Sequence, residues 1–184
     1  MLSNYSLFDH VRGGIFFTIY GLVKYAPSPI GDPIRWLVLK FFMKELKSMR
    51  IKDGVTIWFP HGVSIGRRVS INEWVFIDGF GGVEIGDDCR IAHGCSFVSE
   101  DHIFTRIDVP IHTQGKTGRK ITIGRDCWFG AGVRVLKGVC IGDGCVIGAG
   151  SVVTKSLPDF SIAVGVPAEV IGNRYDNKNS VSNL

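Results

Sequence analysis

Two histidines, His102 and His112, sit in a long polar stretch of a chain otherwise dominated by glycine and aliphatic residues, SEDHIFTRIDVPIHTQGKTGRK over residues 99–120. An imidazole titrating near neutrality takes a proton from an attacking hydroxyl and returns one to a leaving group, so a loop histidine is a candidate general base. Residue type alone does not separate a base from a solvated side chain. Glu100 and Asp101 precede His102, and each carboxylate could either orient the imidazole or face water. The other histidines are weaker candidates: His10 falls in a predicted helix, and His61 and His93 fall at outward or corner positions of the repeat described next.

What must position the loop is a six-residue repeat. Stepping by six from Ile65 gives Ile65, Ile71 and Ile77, then Ile85, Ile91 and Phe97, then Ile123, Phe129, Val135, Ile141, Ile147 and Val153, all apolar. Glycine follows at 66, 86, 124, 130, 142 and 148. One inward aliphatic per short strand, followed by a tight corner, predicts three flats per coil. Coils then stack by parallel pairing about 4.8 Å apart, so the fold is mainly β, a parallel β-helix. The frame slips by two residues between Ile77 and Ile85, and it breaks again between Phe97 and Ile123, where the polar stretch is expelled as a loop. A long loop on a rigid scaffold is where function is expected.

The repeat also accounts for the cysteines. Five is an odd number, which argues against a fully paired secreted framework. Cys89, Cys95, Cys127 and Cys145 share one repeat position with Val and Ser, so they read as small buried hydrophobes. The paired spacings of a metal cluster are absent, and no metal is expected.

Length and charge bound the rest. The 184 residues suffice for one compact core, and a net charge of +4, evenly spread, does not suggest a nucleic-acid partner. Residues 1–50 read as an N-terminal helical cap. Ser6 with Asp9 would cap a helix running to about Lys24, before Pro27 and Pro29; Asp32, with Pro33 in the first position, would cap a second running to about Met49. Residues 51–172 form the β-helix domain with its 99–120 loop, and the Asn- and Ser-rich residues 173–184 form a flexible tail. The apolar stretch Gly13–Val23 falls short of the ~20 residues of a membrane span and lacks a cleavage pattern, so the expected location is cytoplasmic. Both helices are more apolar than one buried stripe requires, and Arg35, Lys40, Lys44 and Lys47 accompany the second. They either only cap the first coil, or also make peripheral contact with the inner membrane face.

Residues 55–172 resemble the hexapeptide-repeat acyltransferases of the sugar and polysaccharide O-acetyltransferase branch. The strings that carry the resemblance are DHIF (101–104), PIHTQG (110–115), ITIGRDCWFGAGV (121–133), GVCIGDGCVIGAGSVVTKSLP (138–158) and VGVPAEVIG (164–172). The resemblance implies a left-handed β-helix and acetyl-CoA-dependent transfer to a sugar hydroxyl, with His102 as the base and the backbone N–H of Ala131 as oxyanion donor. It further implies Trp128 beside the pantetheine arm, backbone contacts from Ala131 and Ala149, and Thr154 with Lys155 near the phosphate or adenine end. Arg174 could reach a phosphate, while Asn72, Asp101 and His112 would face the acceptor. A homotrimer with its sites between neighbours is implied, and no cofactor beyond the acyl donor. The aromatic-rich N-terminal helices favour a bacterial surface-polysaccharide precursor on a lipid carrier. The alternative within the same fold is an amino-sugar N-acetyltransferase. A γ-class carbonic anhydrase would need three clustered histidines, which 61, 93, 102 and 112 do not match.

Overall fold

The structure, a computed structural model, describes residues 7–176. Two helices, α1 (Leu7–Val23) and α2 (Gly31–Phe42), precede a parallel β-solenoid of about 6 turns. The expected cap at Ser6 lies outside the described residues.

Three flat faces build the solenoid. The first stacks Glu45–Leu46, Val63–Ile65, Val83–Ile85, Ile121–Ile123 and Cys140–Ile141. The second stacks Met49–Ile51, Val69–Ile71, Arg90–Ile91, Trp128–Phe129, Val146–Ile147 and Ser161–Gly165, and is closed by the antiparallel strand Ala168–Asn173. The third stacks Thr56–Trp58, Phe76–Asp78, Ser96–Val98, Arg134–Leu136 and Val152–Val153. Pairing between coils brings each inward residue over its equivalent: Ile65, Ile85, Ile123 and Ile141 form one column, and Ile57, Ile77, Phe97, Val135 and Val153 another. All twelve positions of the six-residue frame are 2% exposed or less. Burying a side chain of this size stabilises by ~1.5–3 kcal/mol, so these columns are the main source of cohesion.

The four cysteines of the repeat are buried, and their thiols point along the axis to the next coil: Cys89 Sγ lies 3.2 Å from the carbonyl oxygen of Gly124, and Cys127 Sγ 3.2 Å from that of Gly142. Burial pushes the Cys95 thiol up to about 11, which makes it an inert core group.

Between the faces run three edges. The first edge holds residues 66–68, 86–88, 124–126, 142–144 and 158–160; the second holds 72–74, 92–94, 130–132 and 148–150. The third holds 59–62, 79–82, 99–120, 137–139 and 154–156. Both slips of the frame fall on the third edge, so the two-residue insertion at 79–82 lies one coil below the base of the loop.

α2 departs from expectation at both ends. Its cap is Ile30, without a side-chain bond, and Asp32 lies in the first turn, where its carboxylate is 2.6 Å from the guanidinium of Arg35. Arg35 is fully buried and donates to the carbonyl of Ile51 and the hydroxyl of Ser28, so Asp32 serves as counter-ion to a buried cation instead of a cap. The helix stops at Phe42, well before Met49, because Met43 is extended and the amides of Lys44 and Lys47 donate to the carbonyls of Val63 and Ile65. The first strand therefore begins at Glu45, within the stretch that the sequence assigns to the cap. At the other end, Asn173–Asp176 are fastened: the Phe160 and Tyr175 rings are 4.5 Å apart and Arg174 pairs with Asp126.

Candidate active site

The expelled loop is anchored as a hairpin. Glu100–His102 pairs antiparallel with Lys116–Gly118, which sets His102 opposite Lys116. At its base the hydroxyl of Ser99 donates to the carbonyl of Asp78 at 2.6 Å and accepts from the amide of Gly81 at 2.8 Å. The contact is backbone on backbone: a Cβ on Gly118 would stand 2.8 Å from the Cα of Gly81, so only glycine fits there. Farther out, Gln114 ties the loop to itself, its side chain donating to the carbonyls of Arg106 and Val109 and accepting from the amide of Arg106. His102 and His112 are both exposed, as a proton-transfer group must be when its partner arrives from solvent.

Two carboxyls precede His102, and their partners lie beyond what the sequence shows. Asp101 extends outward to Lys137, Oδ2 to Nζ 2.6 Å, which fastens the residue before His102 to the fourth coil. Glu100 points inward, pairs with Lys116 and keeps a second buried oxygen without a partner; the same holds for Oδ2 of Asp78. Desolvation raises the Asp78 carboxyl above its ordinary value, and the charge of Glu100 raises it further. Asp78 stands where glycine follows the inward aliphatic in half of the repeats, and that exception was the available signal.

The residues expected along the acyl donor form a separate surface. Trp128 is half exposed on the second face, in register with Arg90 and Val146. Ala131 and Ala149 stack on the second edge, where the amide of Gly150 donates to the carbonyl of Ala131. A Cβ on Gly130 would lie 2.6 Å from the amide nitrogen of Ala149, so glycine keeps these coils in contact and the wall shallow. Asn72 and the exposed His93 lie on the same edge, where the carbonyl of His93 accepts from the amide of Gly132 at 3.0 Å. Thr154 and Lys155 lie instead on the third edge, above Leu136 and Lys137. Arg174 lies on the first edge, held by Asp126 at 3.0 Å and the carbonyl of Gly144 at 2.8 Å.

The structure therefore groups His102, Asp101, Thr154 and Lys155 along one edge, and Ala131, Ala149 and Asn72 along another, with Trp128 on the face that leads into it. Among the described residues, no hydrogen bond or ion pair joins the His102 hairpin to Trp128 or Ala131. No group of three or more His, Cys, Asp or Glu among them is arranged to hold a metal ion. No helix of the described residues is long and apolar enough to cross a membrane.

Comparison with known proteins shows what this arrangement is similar to. Residues 120–155 match the bacterial transferase hexapeptide (six repeats). A probable acetyltransferase of Mycobacterium tuberculosis is 39% identical over 167 residues, covering 89% of this chain and 51% of that protein. The chain thus spans about half the length of that relative. A galactoside acetyltransferase solved in complex with coenzyme A superposes with a TM-score of 0.83 at 26% identity, over 98% of this chain and 90% of that one. A maltose O-acetyltransferase from Clostridium difficile shares the fold, with a TM-score of 0.81 at 23% identity over 91% and 89% of the two chains. In its repeat, its solenoid and these likenesses, the chain carries the bacterial transferase hexapeptide repeat and is similar to the hexapeptide-repeat acetyltransferases.

Proposed function

We propose that the chain transfers an acetyl group from acetyl-CoA to a hydroxyl of a carbohydrate by direct attack. The observation that carries the reading is the anchored hairpin, which holds an exposed imidazole on a rigid solenoid while a shallow glycine-lined wall runs along another edge. His102 takes the proton of the acceptor hydroxyl as its oxygen attacks the thioester carbonyl. The resulting oxyanion accepts from the backbone N–H of Ala131, a donor fixed before the charge develops. Collapse expels the thiolate of coenzyme A, which takes a proton from the imidazolium. No covalent enzyme intermediate is needed.

Because His102 and the Trp128–Ala131 wall lie on different edges of one solenoid, the site is completed between chains. The third edge of one chain faces the second edge of its neighbour, and a homotrimer closes this arrangement with three equal contacts. Along the wall, Trp128 covers the pantetheine arm and the amides of Ala131 and Ala149 hold its polar groups. Lys155 and Thr154 lie on the hairpin's side. Arg174 is occupied by Asp126 and contributes to donor binding only if that pair opens. Asn72, Asp101 and His112 face the acceptor, a surface-polysaccharide precursor.

The test is to incubate the protein with acetyl-CoA and a panel of nucleotide sugars, lipid-linked sugars, free glycosides and amino sugars, following thiol release and product mass. Acetyl ester on a sugar hydroxyl is the expected product. Amide formation on an amino sugar would replace this reading with N-transfer, and no acceptor-dependent thiol release from any member would contradict it.

A further inference from the structure

Each N-terminal helix is apolar on two sides. α1 packs Phe16 and Tyr20 into the core and α2 packs Leu39. A helix that only caps a solenoid presents polar residues on its far side. Here the far side of α1 carries Val11, Ile15, Ile19 and Leu22, and that of α2 carries Ile34, Leu37 and Phe41, with Ile30 at its cap. The spacings of three and four make one stripe on each helix. Leu22 is 82% exposed, Ile30 76% and Phe41 73%. The two helices pack against each other, so the stripes belong to one end of the molecule. Apolar surface gathered in this way marks an interaction site.

The charge around it selects the partner. From residue 11 to residue 50 the chain has Arg12, Lys24, Arg35, Lys40, Lys44, Lys47 and Arg50 against only Asp32 and Glu45. Both acids are engaged, Asp32 by Arg35 and Lys52, Glu45 by Lys47. Arg35 is buried and leaves the set that the sequence assigned to the surface. Lys40 and Arg50 are exposed and form no ion pair among the described residues; Lys40 lies 4.8 Å from the centre of the Trp36 ring. Arg50 also lines a groove of about 500 Å³ with Arg68 and Arg90, and this groove adjoins another, lined by Pro33 and Trp36 of α2, through Ser48, Met49 and Arg50. An apolar stripe thus borders a cationic strip, with a tryptophan at the boundary.

We propose that this end of the molecule docks on an anionic lipid bilayer. The stripes of α1 and α2 enter the boundary between head groups and acyl chains, and Lys40 and Arg50 meet lipid phosphates. The binding is peripheral, since neither helix is long and apolar enough to span. Docking stands apart from acetyl transfer, and its test uses no turnover.

The intact chain is sedimented with vesicles of phosphatidylcholine alone and of phosphatidylcholine mixed equally with phosphatidylglycerol, at low and high salt. The expected result is binding to the anionic vesicles at low salt that weakens as salt screens it. Lys40→Gln with Arg50→Gln should weaken it about 30-fold, at roughly fivefold per charge. Leu37→Glu with Phe41→Glu should abolish it, while Ile107→Glu on the distant loop leaves it unchanged. No binding by the parent to anionic vesicles at low salt overturns the proposal. So does undiminished binding by the Lys40/Arg50 variant, whose exposed side chains can be replaced without disturbing the core. A parent that ignores vesicles but loses self-association on the Leu37/Phe41 change would assign the face to a second copy of the chain instead.

Discussion

Asp101 and Lys137 meet at 2.6 Å and join the residue before His102 to the coil above the loop. The Lys137 side chain is 18% exposed and that of Asp101 53%, so the pair is partly screened and is worth ~1 kcal/mol or less in stability. Its value lies in placement. An imidazole misplaced by about 1 Å loses on the order of 100-fold in rate. Lys137→Ala should therefore lower kcat by about 10- to 100-fold while the melting temperature stays within a few degrees of the parent. A variant with unchanged kcat would show that the hairpin holds its position without this tie.

The buried Asp78 gives a pH signature. Desolvation raises its carboxyl in the folded chain above the unfolded value, so the folded state binds this proton more tightly. The stability from that proton is fully present below the unfolded value and is lost as pH rises through the folded one. At neutral pH the parent carries the cost of an ionised, half-satisfied carboxylate, whereas Asp78→Asn keeps the acceptor for the amide of Phe80 without the charge. Thermal unfolding should show the variant no less stable than the parent at pH 7.5, with the parent gaining on it as pH falls toward 4. A parent that loses ground to the variant on acidification would contradict this.

A site shared between chains predicts complementation. Gly130→Ala drives a methyl into the amide of Ala149 and should damage the donor wall, raising KM for acetyl-CoA about tenfold or more. Gly132→Ala is the control: its φ of +70° costs ~1–2 kcal/mol, but nothing lies within 4 Å of the new carbon. His102→Ala and Gly130→Ala chains, each impaired alone, should regain part of the activity when unfolded, mixed and refolded together. A mixture no more active than the sum of its parts would place both functions in one chain.

Much of this architecture is legible in the sequence, because a solenoid core repeats one physical requirement per coil. The frame from Ile65 to Val153 matched the inward columns residue for residue, and the cysteines fell where the repeat put them. The start of the first coil, before residue 51, is not visible in the sequence. Ile51 and Ile57 point inward, but the third edge sets Ile57 eight residues before Ile65, and the coil's first two strands are short, carry Glu45 and Arg50, and are separated by the polar Lys47 and Ser48. The end of α2 was misjudged because the apolar Phe42 and Met43 suit a helix and a strand equally, and only pairing with Val63 decides between them. In the loop, DHIF carries the proposed base, but nothing local shows that Asp101 reaches Lys137, 36 positions on. The resemblance implies a site between neighbours, and the stacked coils set His102 on the third edge and Trp128 on the second face of one solenoid.

The central claim is that His102 is the base. Steady-state acetyl transfer and acetyl-CoA affinity, measured together for His102→Ala beside His93→Ala and His112→Ala, test it most directly. A base is needed only in the transition state, so His102→Ala should lower kcat by about 100- to 10,000-fold with donor affinity nearly unchanged, and the other two should fall far less. Turnover by His102→Ala within threefold of the parent, or a larger loss in His93→Ala, would contradict the account.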